Sequence, residues 1–72
     1  MKRCTIAGRI GYNIRWERNI AGLSQRDLAE RIGIGQGNMS RIENGKVVPS
    51  AVQLVLIGRE CGVSPGALLA HA

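Results

Sequence analysis

Residues 36–41 bring together a glutamine, an asparagine, a serine and an arginine, with a glycine among them. These groups recognise rather than react. Gln36 carries an amide donor and acceptor side by side, a pattern that pairs bidentately with an adenine edge, and the Arg41 fork fits a guanine edge or a phosphate. Asn38 and Ser40 are further, less directional readers, and Gly37 lets the backbone come close to a groove floor. Catalytic chemistry has no comparable set. There is no paired carboxylate and no Ser/His or Cys/His arrangement, and the single histidine, His71, is the penultimate residue. Cys4 and Cys61 stand far apart, form no C-x-x-C pair and make no zinc spacing with His71. No enzyme activity, metal, cofactor or disulfide is expected, and Cys61 on an apolar helix face should behave as a small hydrophobe.

To show one polar face, residues 36–41 must ride on a helix. A helix over about 36–44 turns Met39 and Ile42 inward; Gly37, Ser40, Arg41 and Asn44 then fall opposite, with Gln36 at the edge. Asn44-Gly45 caps its end. Upstream, Ser24 with Asp27 three residues later is a capping-box-like helix start. Leu28, Ala29 and Ile32 form that helix's buried stripe, with Ala29 small where another helix would cross closely, and Gly33 suits a left-handed turn. The unit over about 24–44 is thus two short helices joined by a tight turn. Ile6, Ile10, Ile14 and Ala21 recur at helical spacing and predict a first helix over about 5–21, weakened early by Gly8 and Gly11 and ended by Gly22. Trp16 on that helix could pack against the fifth helix or sit partly exposed, and packing in the core is the expectation. Ser50 with Gln53 opens a fourth helix that Gly62 stops after about residue 61, and Ser64-Pro65 begins a short fifth. No segment has a strand pattern. The expected fold is all-α, five helices in one domain over residues 1–72.

A chain of 72 residues has no room for a second core and buries only about 60% of its unfolded surface, so association would help it. At 44% apolar it is a folded chain and not a disordered tail. No apolar run approaches the roughly 18 residues of a membrane span, and the N-terminus lacks a signal-peptide core, so no membrane contact and a cytoplasmic location are expected. The net charge of +5 is unevenly placed. Residues 1–46 hold nine Lys/Arg against four Asp/Glu, whereas residues 47–72 hold only Arg59 and Glu60. All the excess positive charge lies on the segment carrying the two-helix unit, which attracts phosphate. A merely solvated cationic surface is the plainer alternative. Charge and motif together point to a DNA-binding helix-turn-helix.

Gly22-Leu23-Ser24-Gln25, Leu28-Ala29, Gly33, Ser40-Arg41-Ile42-Glu43-Asn44-Gly45-Lys46, Pro49-Ser50 and Gly62-Val63-Ser64 follow in an order and spacing that carry a family resemblance. Residues from about 10 to 69 resemble the phage-repressor (lambda-repressor-like, XRE-type) helix-turn-helix family. The resemblance implies that Gln25 contacts phosphate and braces Gln36, which reads a base early in a half-site. It implies further readout from Gly37, Asn38 and Arg41, and backbone contacts from Asn44 and Lys46. It also implies an ion pair of Arg18 with Glu43, tying the first helix to the third. Gly35 departs from the Ser or Thr common at this cap, and Gly37 from a side-chain-bearing contact residue. Lys2, Arg3, Arg15 and Arg26 are additional candidates for phosphate contacts.

On the fourth helix Ala51, Leu54, Val55, Ile57, Gly58 and Cys61 cluster as core suppliers, while Val52 and Leu56 form a second apolar stripe. With Leu68 or Leu69 this stripe could close a twofold dimer, setting two recognition helices about 34 Å apart on a palindromic operator. Chance exposure is the competing explanation. The expected function is a sequence-specific regulator of transcription on double-stranded DNA, a repressor controlled by its own concentration or by an unknown protein partner. A restriction–modification controller and a DNA-binding antitoxin fit the same sequence. A protein–protein adaptor on this fold would favour an acidic or apolar third helix, against Arg41 and Lys46.

Overall fold

Four of the five helices begin at a side chain that closes the first turn. In the computed structural model, which describes residues 5–72, the order is α1 (Ile6–Ile20), α2 (Gln25–Ile32), α3 (Gln36–Glu43), α4 (Ala51–Cys61) and α5 (Pro65–Leu68). Lys2, Arg3 and Cys4 lie outside the described residues. Thr5 Oγ1 accepts the Gly8 N–H at the head of α1. Ser24 accepts from the Asp27 N–H while Asp27 accepts from the Ser24 N–H, and Ser50 and Gln53 repeat this exchange at α4. Ser64 accepts the Ala67 N–H at α5, with Pro65 in the first turn, where a missing N–H costs nothing. α3 differs: Gly35 stands at its cap and supplies no side-chain bond.

α2 ends at Gly33, whose φ of 77° is left-handed, and the Ile34 N–H reaches back to the Ala29 carbonyl at 3.0 Å. That backbone reversal is the tight turn into α3. Leu28, Ala29 and Ile32 of α2 meet Met39 and Ile42 of α3 in the core, joined by Ile10 and Ile14 of α1, Leu54 and Ile57 of α4, and Leu68 of α5. α1 packs on α3, α4 and α5, so it spans the whole unit. Asn13 fastens its middle, donating to the carbonyls of Leu68 at 3.0 Å and Ala70 at 2.8 Å.

Where α1 crosses the end of α3 the two backbones touch. A Cβ on Gly11 would stand 2.6 Å from the Glu43 carbonyl oxygen and still closer to that of Ile42. Gly11 weakens α1 as a helix former, yet it is the residue that lets α3 dock.

The packing corrects several sequence expectations. Ile6 is 67% exposed, because an i, i+4 row drifts by about 40° per step and Ile6 has rotated off the side that Ile10 and Ile14 bury. Ala21, at the C-cap, is exposed too. Trp16 is 57% exposed rather than in the core. It follows Ile14 by two residues, about 200° around the helix, and lies beside Tyr12 with ring centroids 6.4 Å apart. On α4, Ala51 and Val55 are exposed, whereas Leu56 is half-buried against the core. α1, α2 and α5 all contact α4, so its covered surface is broader than one stripe. Leu68 is fully buried in the core of its own chain. Cys61 is half-buried; burial first, then the nearby Glu17 carboxylate, pushes its thiol pKa up.

Candidate nucleic-acid interface

The residues of α3 divide by face. Met39, Ile42 and Glu43 are buried; Gln36, Gly37, Asn38 and Arg41 are exposed, and Ser40 and Asn44 are half-buried between them. The side chains of Gln36, Asn38, Arg41 and the exposed Lys46 have no hydrogen-bond or ion-pair partner among the described residues. A Cβ on Gly35 or Gly37 would meet nothing within 4 Å, so packing demands glycine at neither place. The first turn of α3 is therefore smooth outside, and its N–H groups lack a side-chain cap.

What holds this face is the Glu43 carboxylate, the one buried charged side chain among the described residues. Arg18 grips it with two bonds, Nε to Oε2 at 2.7 Å and Nη2 to Oε1 at 3.0 Å. Such a bidentate pair fixes orientation as well as charge. Arg18 Nη1 also donates to the Leu23 carbonyl at 2.9 Å, which anchors the loop between α1 and α2. Gln25 Nε2 donates to Glu43 Oε1 at 3.2 Å. One carboxylate thereby joins α1, α2 and α3. Arg15 also approaches this carboxylate, its Nε 3.5 Å from Glu43 Oε1.

Gln25 differs from its expected role in one respect. Its amide is bonded to Glu43 and makes no hydrogen bond to Gln36. Glu43 offers a charged acceptor at close range, which outcompetes a neutral amide. Arg26 pairs with Glu30 one turn on, both well exposed at 3.1 Å. Such a surface pair contributes little and leaves Arg26 available to an anion. Asn44 accepts from Arg15 Nη2 at 3.2 Å and donates to Ser40 Oγ at 3.3 Å. Arg15 was legible in the sequence only as one more cation. Arg31 and Glu60 meet at 3.3 Å and link α2 to α4, a contact the sequence did not suggest. Val52 is 68% exposed and Leu69 43%, Val48 and Val55 are exposed as well, and Leu56 is half-buried against the core.

A family model for the helix-turn-helix domain matches residues 9–72. The chain belongs to that family. Helix-turn-helix proteins of this kind are DNA-binding transcriptional regulators and not enzymes. The structural neighbours of this helix-turn-helix protein are regulators of the lambda-repressor-like, XRE type. The clp gene regulator ClgR from Corynebacterium glutamicum superposes with a TM-score of 0.86 at 26% identity, over 90% of this chain and 69% of that one. The restriction-modification controller protein C.AhdI from Aeromonas hydrophila gives a TM-score of 0.80 at 26% identity, over 86% of this chain and 94% of that one. SinR, a master regulator for biofilm formation solved in complex with DNA, gives 0.78 at 33% identity, over 83% and 97%. No curated protein sequence matches the chain significantly. Among the described residues no helix is long and apolar enough to cross a membrane, and no cluster of side chains could hold a metal ion.

Proposed function

We propose that this protein is a sequence-specific repressor that lays α3 in the major groove of double-stranded DNA and binds as a homodimer to a palindromic operator. One observation carries the reading. Gln36, Asn38 and Arg41 project unpartnered from the outer face of α3, while Met39, Ile42 and Glu43 fix its inner face. Readers held on a rigid element lose little freedom on binding. Gln36 takes an adenine edge and Arg41 a guanine edge or a phosphate. Gln25, Arg26, Asn44 and Lys46 take the flanking phosphates, which set position rather than sequence. Gly37 keeps the first turn low enough to approach the groove floor. Val52 and Leu69, with Val48 and Val55, supply the apolar contact between protomers. Leu56 adds only its exposed margin, and Leu68 adds nothing because it is buried.

Selection of duplexes from a random pool tests this directly. One enriched inverted repeat is expected, its half-sites about one helical turn apart, or roughly 34 Å. Retention of no duplex would overturn the reading in favour of a protein–protein adaptor, and unselective retention of every duplex would overturn its sequence specificity. Gln36→Ala should lose about 1–3 kcal/mol on the selected site and relax one base pair. Lys46→Ala should weaken all sequences alike and reduce the salt slope by about one. The similarity to C.AhdI favours a second, narrower reading as a restriction–modification controller. A selected site lying upstream of a methyltransferase or nuclease gene would support it.

A further inference from the structure

Arg15, Asn44 and Ser40 form a chain of hydrogen bonds whose polarity is forced. A guanidinium only donates, so the Asn44 atom facing Arg15 Nη2 at 3.2 Å must be its carbonyl oxygen. The amide nitrogen of Asn44 then faces the other way and donates to Ser40 Oγ at 3.3 Å. An amide nitrogen has no lone pair to offer, so Ser40 must accept, and its own hydroxyl hydrogen is left over. Asn44 likewise keeps a second N–H. Neither leftover hydrogen has an acceptor among the described residues, and both side chains are half-buried beside the exposed face of α3. Arg15 is itself held in place, with its Nε 3.5 Å from the buried Glu43 carboxylate.

From this we infer that Arg15 is a positioning residue, which acts through Asn44 to present Asn44 and Ser40 as a pair of outward donors for an acceptor atom on DNA. The inference rests on the docking of α3 proposed above. Were Arg15 missing, the Asn44 amide could turn over, and the pair would show an acceptor where it now shows donors. The acceptor is a backbone phosphate oxygen or a purine N7, and the two sources are chemically separable.

The test measures operator affinity for Asn44→Ala, Arg15→Met and the double variant. Each single change should lose about tenfold, the scale of a hydrogen bond to a charged group, and the double variant should lose about tenfold again in total rather than a hundredfold. A methylphosphonate placed at each phosphate in turn, and a 7-deazapurine at each purine, then locate the acceptor. One such modification should weaken the parent protein and leave both single variants unaffected. Multiplying losses would mean that Arg15 contacts DNA by itself, and would overturn the relay. So would a full set of modifications whose penalties survive in both variants. Gln36→Ala keeps the two levels apart. If it relaxes one base pair while the relay prediction fails, the docking stands without the relay; if base preference is untouched, the docking has failed. Thermal melts of Arg15→Met within a few degrees of the parent confirm that a folded protein was measured.

Discussion

The two halves of this molecule are assembled by different forces. Around α3, the apolar packing of Met39 and Ile42 is joined by charged and directional bonds converging on one buried carboxylate, with Arg18, Gln25 and Arg15 all meeting Glu43. Around α4 and α5, positions are set by apolar contact among Leu54, Ile57 and Leu68, with Asn13 as the main polar fastening to α1. Directional bonds permit few arrangements, and a reading surface needs one. Apolar packing tolerates more variation and leaves valines outside, which a second copy of the chain can cover. The helix proposed to read base edges is thus tied down by hydrogen bonds as well. The apolar face proposed to pair protomers is not.

Removing the hub should separate the halves most sharply. Glu43→Ala strands Arg18 in a site where its side chain is 11% exposed and takes an acceptor from Gln25. A loss of roughly 3–5 kcal/mol is expected, read as a fall in melting temperature far beyond that of a surface change. A melt within a degree of the parent would show that the carboxylate does not organise this half.

The same junction can be attacked by volume instead of charge. Gly11→Ala puts a methyl group against the Ile42 and Glu43 carbonyls, which are backbone and cannot swing aside. The cost should be about 1–3 kcal/mol in a denaturant titration, although alanine is the better helix former. A stabilised variant would mean that α1 and α3 do not touch as described.

Gly37→Ala should behave in the opposite way. Its Cβ enters open space on a helix, so stability should rise by about 0.5–1 kcal/mol while affinity for the selected operator falls. Paired melting and binding curves on one preparation check both signs. If affinity is unchanged, the low first turn of α3 is not pressed against DNA.

The smallest effect on stability belongs to the apolar half. Val52→Glu should stay within about 0.5 kcal/mol of the parent, because Val52 is 68% exposed. It should nonetheless convert a dimer to a monomer in sedimentation and weaken operator binding. Leu56→Glu is the poorer probe, since its half-buried side chain mixes folding with assembly. A parent protein that is monomeric both free and on its operator would end the dimer reading.

The helix ends were legible in the sequence. Ser24 with Asp27, Ser50 with Gln53, Ser64-Pro65 and the glycines at 33 and 62 act within three or four residues, where backbone geometry fixes who meets whom. The inward side of α3 was legible for the same reason, because Met39 and Ile42 follow the helical period. The settings of Trp16 and Leu56 were not legible, since size and hydrophobicity do not say which faces neighbouring helices cover. The family resemblance supplied the pairing of Arg18 with Glu43, but nothing in the local pattern pointed to Arg15 on Asn44 or Asn13 on α5.

By itself, then, the sequence determined five helices, the side-chain caps at Ser24, Ser50 and Ser64, the basic half, and a polar face at residues 36–41, because each depends on chemistry a few residues wide. Only the tertiary structure decided that Gln25 turns to Glu43, that Gly11 is a contact and not merely a weak helix former, and that Leu68 is core while Val55 is surface. Those outcomes depend on how helices far apart in the chain cross one another. A crossing is set by the summed packing of whole faces, which no single residue's type or spacing records.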